Sequence, residues 1–327
     1  MVAFNEQDHV AGLVEAVRRQ EGIGDIRLET ILVDGGSSDN TVAHARAAGY
    51  DHIIDAPGDN IPICRNKGLA RATGEWIAYI DADCEAAPGW LTTARRFLEN
   101  NDALVIGWPV EPPRPGTWVQ RVWHTHWSTK NARRDDWKGE EVISEDGFRL
   151  LTTRNMVMHK SVAEQMNGFD ENLSTGEDTD FVFRAYHAGI PTLGVPGMRM
   201  IHHGEPATLR AFYKQQTWHA NRNSYKRILA TAGGKSGGNA PKFTVLYLAT
   251  GIVFDVGLLT ALFTSNPWWL VALLPWLGLI TGPAALIGLK AGRPHHIPGL
   301  AVLYAVYGWA RVLDLLGCYK EKRSWKS

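Results

Sequence analysis

The segment Glu75-Trp76-Ile77-Ala78-Tyr79-Ile80 is apolar and partly β-branched, with Gly74 before it and Asp81-Ala82-Asp83 directly after it. Such a run reads as a buried strand. Carboxylates at i and i+2 are poor strand residues. At the carboxyl end of a buried strand they stand where open α/β sheets place their ligands. Hard divalent cations take oxygen ligands and keep waters and substrate phosphates in the shell. Asp83 is therefore a candidate metal ligand; the metal would hold a nucleotide diphosphate, and Asp81 would help to position the nucleotide. An acidic turn capping the next helix would look the same, so the rest of the chain has to decide.

The first half alternates strand and helix. Met1 to Phe4 is the stump of a strand followed by Asn5-Glu6, and Val10, Leu13, Val14 and Val17 then form one helical apolar stripe. Leu28 to Val33 reads as a strand ending in Asp34-Gly35-Gly36-Ser37-Ser38-Asp39-Asn40, whose glycines allow a tight turn before a helix near Thr41. Arg65 to Arg71 looks helical and leads into the strand before Asp81. Pro88 to Glu99 follows as a helix and Ala103 to Val110 as a strand. This order predicts an α/β fold, a mainly parallel sheet with helices on both faces, with Asp34 and Asp81 on one rim.

Beyond a proline-rich break at Glu111 to Gly116, Trp118 to Lys130 is a tryptophan-rich helix, either core or membrane-surface. Asn131 to Gly147 has no apolar period and reads as a mobile loop of the length used for lids. A strand resumes from Leu150 to Met158. Gly176-Glu177-Asp178 opens a helix through His187, a strand from Met198 to Ile201 runs into His202-His203, and a long amphipathic helix carries Gln216, Trp218 and Arg222. The formal net charge is +0, which gives no case for a nucleic acid polymer as partner. The three cysteines, Cys64, Cys84 and Cys318, have no paired spacing and fit a reducing compartment.

Val2-Ala3-Phe4-Asn5-Glu6, Val33-Asp34-Gly35-Gly36-Ser37-Ser38-Asp39-Asn40-Thr41, Arg65-Asn66-Lys67-Gly68, Asp81-Ala82-Asp83 and Gly168-Phe169-Asp170 through Gly176-Glu177-Asp178 resemble, in order, the motifs of family 2 glycosyltransferases. The resemblance covers roughly the first 230 residues. It implies a GT-A (Rossmann-like) fold and inverting transfer of a sugar from a nucleotide-diphosphate donor, a UDP-sugar first among candidates. By this likeness Asn5, Glu6, Asp34, Arg65, Asn66 and Asp81 would bind the nucleotide sugar, with Asp34 on the base. Asp83 would hold Mg²⁺ or Mn²⁺, and Asp178, with Glu177 beside it, would supply the catalytic base. Some GT-A enzymes add a histidine to the metal, which makes His203, or else His202, a further ligand. Arg222 would cover the diphosphate, since a guanidinium matches phosphate bidentately. Gln216 and Trp218 loosely resemble an acceptor-side motif of processive synthases, without its Arg-Trp pair. The family usually has a full strand before its Asn-Glu, so a longer natural start is expected.

An inverting displacement needs a base on one face of the anomeric carbon and charge neutralisation on the other. Asp178 at a helix N-terminus would be held ionised by the dipole, so its basicity would come from placement. The competing readings are a nucleotidyltransferase using the same acidic pair, which would need a Gly- and Lys-rich phosphate loop, and a non-catalytic membrane scaffold with a degenerate sugar-nucleotide fold.

The domain plan is a catalytic domain over 1–230, a linker over 231–242 and a membrane region over 243–327. Phe243 to Phe263 and Trp268 to Leu289 are each long enough to span a bilayer core. Lys235 and Lys242 before the first and Lys290 and Arg293 after the second put the catalytic domain in the cytoplasm, at the inner membrane. The third stretch, Ile297 to Gly317, carries Arg311 and Asp314 and is followed by further Lys and Arg. It is expected to lie at the inner surface; the alternative is a third span with Arg311 paired to Asp255. The anchor in turn points to a lipid-linked or cell-surface glycan acceptor.

Overall fold

The computed structural model describes residues 1–22, 24, 26–100, 104–132, 141–142, 151–173, 175–219 and 240–318. The strands are β1 (Val2–Ala3), β2 (Ile31–Asp34), β3 (His52–Asp55), β4 (Trp76–Tyr79), β5 (Cys84–Ala86), β6 (Val105–Gly107), β7 (Glu141–Val142), β8 (Met156–His159), β9 (Thr192–Gly194) and β10 (Met200–His202). The helices are α1 (Val10–Arg18), α2 (Thr41–Ala47), α3 (Ile61–Arg71), α4 (Trp90–Asn100), α5 (Trp118–Ala132), α6 (Lys160–Gln165), α7 (Glu177–His187), α8 (Leu209–His219), α9 (Ala240–Thr264), α10 (Leu273–Lys290) and α11 (Ile297–Leu315). The chain divides into two compact units: the first holds the described residues up to Pro113 and from Glu141 to Glu205, the second those from Arg114 to Ala132 and from Pro206 onward.

The first unit is α/β with mixed pairing. Strands β1, β2 and β3 are parallel. A second sheet runs β4-β8-β6-β9-β7, in which β6 and β9 are parallel and the other neighbours antiparallel. The mainly parallel expectation thus holds for the first three strands. It fails where the strict strand–helix alternation is interrupted after β6, because β8 returns between β4 and β6 in the opposite direction. The α1 stripe Val10, Leu13, Val14 and Val17 is buried as expected, each side chain contributing roughly 1.5–3 kcal/mol of burial. Leu13 and Val17 pack with Ile80, Trp90, Phe97, Ile106 and Met200. Val10 and Val14 pack with Ala3, Leu32 and Tyr50.

A buried amide fixes a segment that carries the site. Asn155, fully buried, accepts from the Trp90 indole (2.7 Å) and donates to the carbonyls of Trp108 (2.9 Å) and Met198 (2.7 Å). A buried amide with its bonds met locks the irregular segment before β8. Within the expected lid, Asn131 and Ala132 end α5, and Glu141 and Val142 form strand β7 against Gly194 and Leu193; the rest of it, and the proposed linker as far as residue 239, lie outside the described residues.

The second unit is helical. Val119, Val122 and Trp123 of α5 pack with Phe212 of α8 and with Leu300, Leu303 and Tyr304 of α11. Hence α5 and α8 belong to the unit of the apolar helices, where the sequence places both within the catalytic domain over 1–230. Lys242–Thr264 and Pro267–Lys290 are long and apolar enough to cross a membrane, each with a mean hydropathy of 2.0. Their outer faces expose Phe263 at 87 % and Trp268 at 81 %, an extent of apolar surface that water does not favour. The Asp255–Arg311 pair of the three-span alternative does not form among the described residues: Asp255 is exposed, and Arg311 lies over the Tyr307 ring at 5.0 Å.

Candidate active site

The site of the first unit is assembled from strand ends. The loop after β2 closes on itself: Asp34 is buried and its carboxylate accepts the N–H groups of Gly36 (3.0 Å) and Ser37 (2.9 Å) and the Ser37 hydroxyl. Asn5, in the left-handed region at φ 58°, ties this loop to β1; its N–H donates to Ser37 Oγ (2.8 Å) and its side-chain oxygen accepts from Ser38 N–H (2.9 Å). Two residues expected on the nucleotide are thus engaged in shaping the loop that would receive it. Glu6 donates its N–H to Thr41 Oγ1 (2.7 Å) and pairs with His9 (2.9 Å). Burial pushes its carboxyl up, and the negative charges of Asp83 and Asp81 add to this against the His9 hydrogen bond.

Arg65 links the acidic pair to the helix of the expected base. It is buried on α3 and bonds Glu177 with one guanidinium nitrogen and Asp81 Oδ1 with the other (3.3 Å). Glu177 is buried as well, so this carboxylate is engaged in holding Arg65, where the sequence sets it beside Asp178 at the catalytic base. Removing one member of a buried pair costs about 3–5 kcal/mol because the other charge is left unpaired. Arg65→Met should therefore lower the melting temperature by roughly 10 °C by this estimate; a shift below about 2 °C in a thermal melt would show that the pair carries no stability. Asn66, also expected on the nucleotide, instead clamps the turn before α7. Its amide donates to the Phe169 carbonyl and accepts from the Phe169 N–H, both at 2.9 Å.

Asp178 follows Gly176, whose φ of 77° starts α7 without a side-chain cap. It is half-buried, and its Oδ1 accepts the Thr179 N–H (2.7 Å). Its Oδ2 has no hydrogen-bond partner among the described residues, which leaves one lone-pair face open for a proton.

The two histidines after β10 have different fates. His203 turns to Glu85 (2.9 Å) and stacks on His9 with ring centroids 5.8 Å apart. His202 faces Asp83: its Nε2 is 3.1 Å from Oδ2, and its Nδ1 is 3.0 Å from Glu205 Oε1. Of the two, His202 is the one that stands beside Asp83, where the sequence prefers His203 and keeps His202 as the alternative. Antiparallel pairing of β10 with β5 sets His202 opposite Cys84, beside Asp83. Burial works against a charged His202 ring, but the hydrogen bonds to Asp83 and Glu205 outweigh it and raise its pKa to about 9. Burial also raises the Asp83 carboxyl, yet His202 brings it below its usual value.

These residues fit a divalent metal. With Nδ1–H given to Glu205, the Nε2 lone pair points at a carboxylate oxygen, an arrangement that needs a proton or a cation between the two. A carboxylate behind a histidine ligand is the common outer support of such sites. Gly204 leaves the space open: a Cβ there would overlap Asp83 Oδ2 and come within 3.2 Å of His202 Nε2. Cys84 shares the cluster, but burial drives its thiol pKa well up, and a neutral thiol is a poor ligand for Mg²⁺ or Mn²⁺.

Sequence reasoning missed Arg154 and Glu205. Arg154 donates to Glu205 (3.0 Å), and besides Glu205 it feels the charges of Asp81 and Asp178. It stands in an irregular segment whose single clue is a lone cation just before the apolar run of β8. The acceptor candidates Gln216, buried, and Trp218, 45 % exposed, lie on α8 of the second unit; Arg222 lies outside the described residues.

Residues 1–159 match the family model described as glycosyl transferase family 2. The glycosyltransferase AglE of Haloferax volcanii is 25 % identical over 243 residues, covering 70 % of this chain and 76 % of that protein. The pre-mycofactocin glycosyltransferase of Mycobacterium tuberculosis is 28 % identical over 196 residues, 58 % of this chain and 39 % of that longer protein. Among solved structures, a mannosyltransferase from Pyrobaculum calidifontis, in complex with GDP-Man and Mn²⁺, superposes with a TM-score of 0.62 over 97 % of this chain and 86 % of its own, at 17 % identity. S. aureus TarS in complex with UDP reaches 0.50 over 98 % of this chain and 91 % of its own, at 16 % identity. With the GT-A fold these neighbours share and the ordered acidic motifs of its first unit, the chain is a glycosyltransferase whose residues 1–159 form a family 2 domain.

Proposed function

We propose that the chain moves a sugar from a nucleotide-diphosphate donor to a hydroxyl of a lipid-linked or cell-surface glycan acceptor, with inversion in a single displacement. The observation that carries this is the meeting of Asp81, Asp83 and His202 on one side of Arg65 with Glu177 and the half-buried Asp178 on the other. Asp178 Oδ2 takes the acceptor proton as the oxygen attacks the anomeric carbon. Arg65 holds the base helix against the donor side, and Arg154 keeps a positive field among the carboxylates. Asp83 and His202 would hold Mg²⁺ or Mn²⁺, which when bound neutralises charge on the leaving diphosphate. The complexes of the neighbours with UDP and with GDP-Man and Mn²⁺ support a nucleotide-diphosphate donor and a divalent metal as the shared chemistry.

The two apolar helices support membrane attachment as a hairpin at the inner membrane. Lys242 and Lys290 at its two ends put both on the cytoplasmic side with the catalytic unit. The test is donor turnover by the full chain in detergent, screened over UDP- and GDP-sugars with Mn²⁺, Mg²⁺ or chelator. Turnover should need a metal and drop at least a hundredfold in Asp83→Ala. Equal rates in chelator would reject the metal site, and a product of retained anomeric configuration would reject the single displacement.

A further inference from the structure

A second cluster lies in the helical unit, where Gly292-Arg293-Pro294-His295-His296 joins α10 to α11. Thr125 of α5 is fully buried, and its hydroxyl gathers the segment. It accepts from the Arg293 guanidinium (3.3 Å), meets His296 Nδ1 (2.8 Å) and lies 3.1 Å from the Arg121 carbonyl one turn back. His295 rests edge-on against His296 with ring centroids 4.4 Å apart. Arg121, Arg293 and His295 are exposed, and no carboxylate pairs with any of the four among the described residues. Burial lowers the His296 pKa, and His295, Arg293 and Arg121 each lower it further, so the positive groups bear on one spot. Helix α11 begins at the next residue with no side-chain cap and adds the positive end of its dipole. Lys290 closes α10 just before the junction.

We propose that this junction binds the phosphate group of a membrane lipid. Positive groups held together without a carboxylate repel one another, and an anion removes that cost. Two guanidinium groups match phosphate oxygens bidentately. The cluster stands where the apolar Pro267–Lys290 helix ends, the level at which a bilayer presents its phosphates and where basic pockets between helices take acidic headgroups. The inference rests on the membrane reading above. It adds that the second unit recognises the lipid itself, either the headgroup of an anionic phospholipid or the phosphate of an isoprenoid-linked acceptor.

The test uses the purified full chain in neutral detergent. Bound lipid is counted by native mass spectrometry during titration with phosphatidylglycerol, a polyprenyl phosphate, phosphatidylcholine and inorganic phosphate. One saturable site for a lipid phosphate, weakened roughly twentyfold in the Arg121→Gln/Arg293→Gln double variant, would support the assignment. Thr125→Val should weaken it severalfold with no change of charge, and Arg293→Lys should lose least; circular dichroism of each variant reports folding. Preference for phosphatidylglycerol names the headgroup as the source, and preference for polyprenyl phosphate names the acceptor. Equal binding of phosphatidylcholine, inorganic phosphate binding as well as the lipids do, or an unchanged folded double variant would overturn it. Carbonate extraction of the membrane fraction checks the membrane reading separately: a chain released by carbonate sinks that reading, whereas a retained chain with no lipid preference sinks this one alone.

Discussion

Asp178→Asn should lower kcat by about 10²–10⁴-fold, the range of a general base, while donor KM and melting temperature stay near those of the unsubstituted chain. The amide keeps the shape of the side chain, and its oxygen still accepts the Thr179 N–H that Oδ1 accepts now. What disappears is the open oxygen that would receive the acceptor proton. A loss confined to kcat is the signature of an interaction made only in the transition state. Glu177→Gln, one residue away, separates the two carboxylates: it breaks the buried pair with Arg65 and should show first as a fall in melting temperature. Steady-state kinetics with thermal melts on both variants decide the matter. If Asp178→Asn turns over at more than a tenth of the normal rate, the base is elsewhere and Asp178 only caps α7.

How much of this was legible in the sequence follows from what is local. Asp34 and Asp81 stand at strand ends before turns and Asp178 at the start of a helix, and the strand, turn and helix signals lie within a few residues of each. The choice between His202 and His203 is not local. Adjacent residues at the end of a strand point to opposite faces, and a one-residue change of register exchanges them. The partner that sets the register, β5, is a three-residue strand just past the acidic pair, too short to show an alternating pattern. Arg154 is harder still, because its carboxylate partner Glu205 comes 51 residues later and neither residue belongs to a periodic stretch. Sheet direction failed for a similar reason: β8 follows an excursion through α5, and nothing in a short apolar run tells which way it will enter the sheet. The assignment of α5 and α8 turned on partners as well. Their apolar faces, with Trp123 and Phe212, announce burial but do not say that Leu300, Leu303 and Tyr304 are what covers them.

Gly204→Ala should cost about 10–100-fold in Mn²⁺ affinity, the range seen when a group beside a metal ligand is disturbed, and at least as much in transfer. Gly204 is absent from the positive-φ glycines of the described residues, so alanine meets no backbone strain there. The obstacle is space: the added Cβ would overlap Asp83 Oδ2 and crowd His202 Nε2 at 3.2 Å. Asp83 would have to swing away, and the carboxylate and imidazole could no longer converge on one ion. Moving Asp83 also separates it from the buried His202, so the metal-free melting temperature should fall by several degrees as well, and the metal affinity has to be read on the folded fraction. Calorimetric titration of Mn²⁺ in the presence of a nucleoside diphosphate reads the affinity directly. His203→Ala is the matched control, since His203 faces Glu85 and His9, and its affinity should stay within about twofold. Were Gly204→Ala to bind Mn²⁺ normally while His203→Ala lost it, the ligand would be His203 after all, and the cluster of Asp83 with His202 would be a structural ion pair.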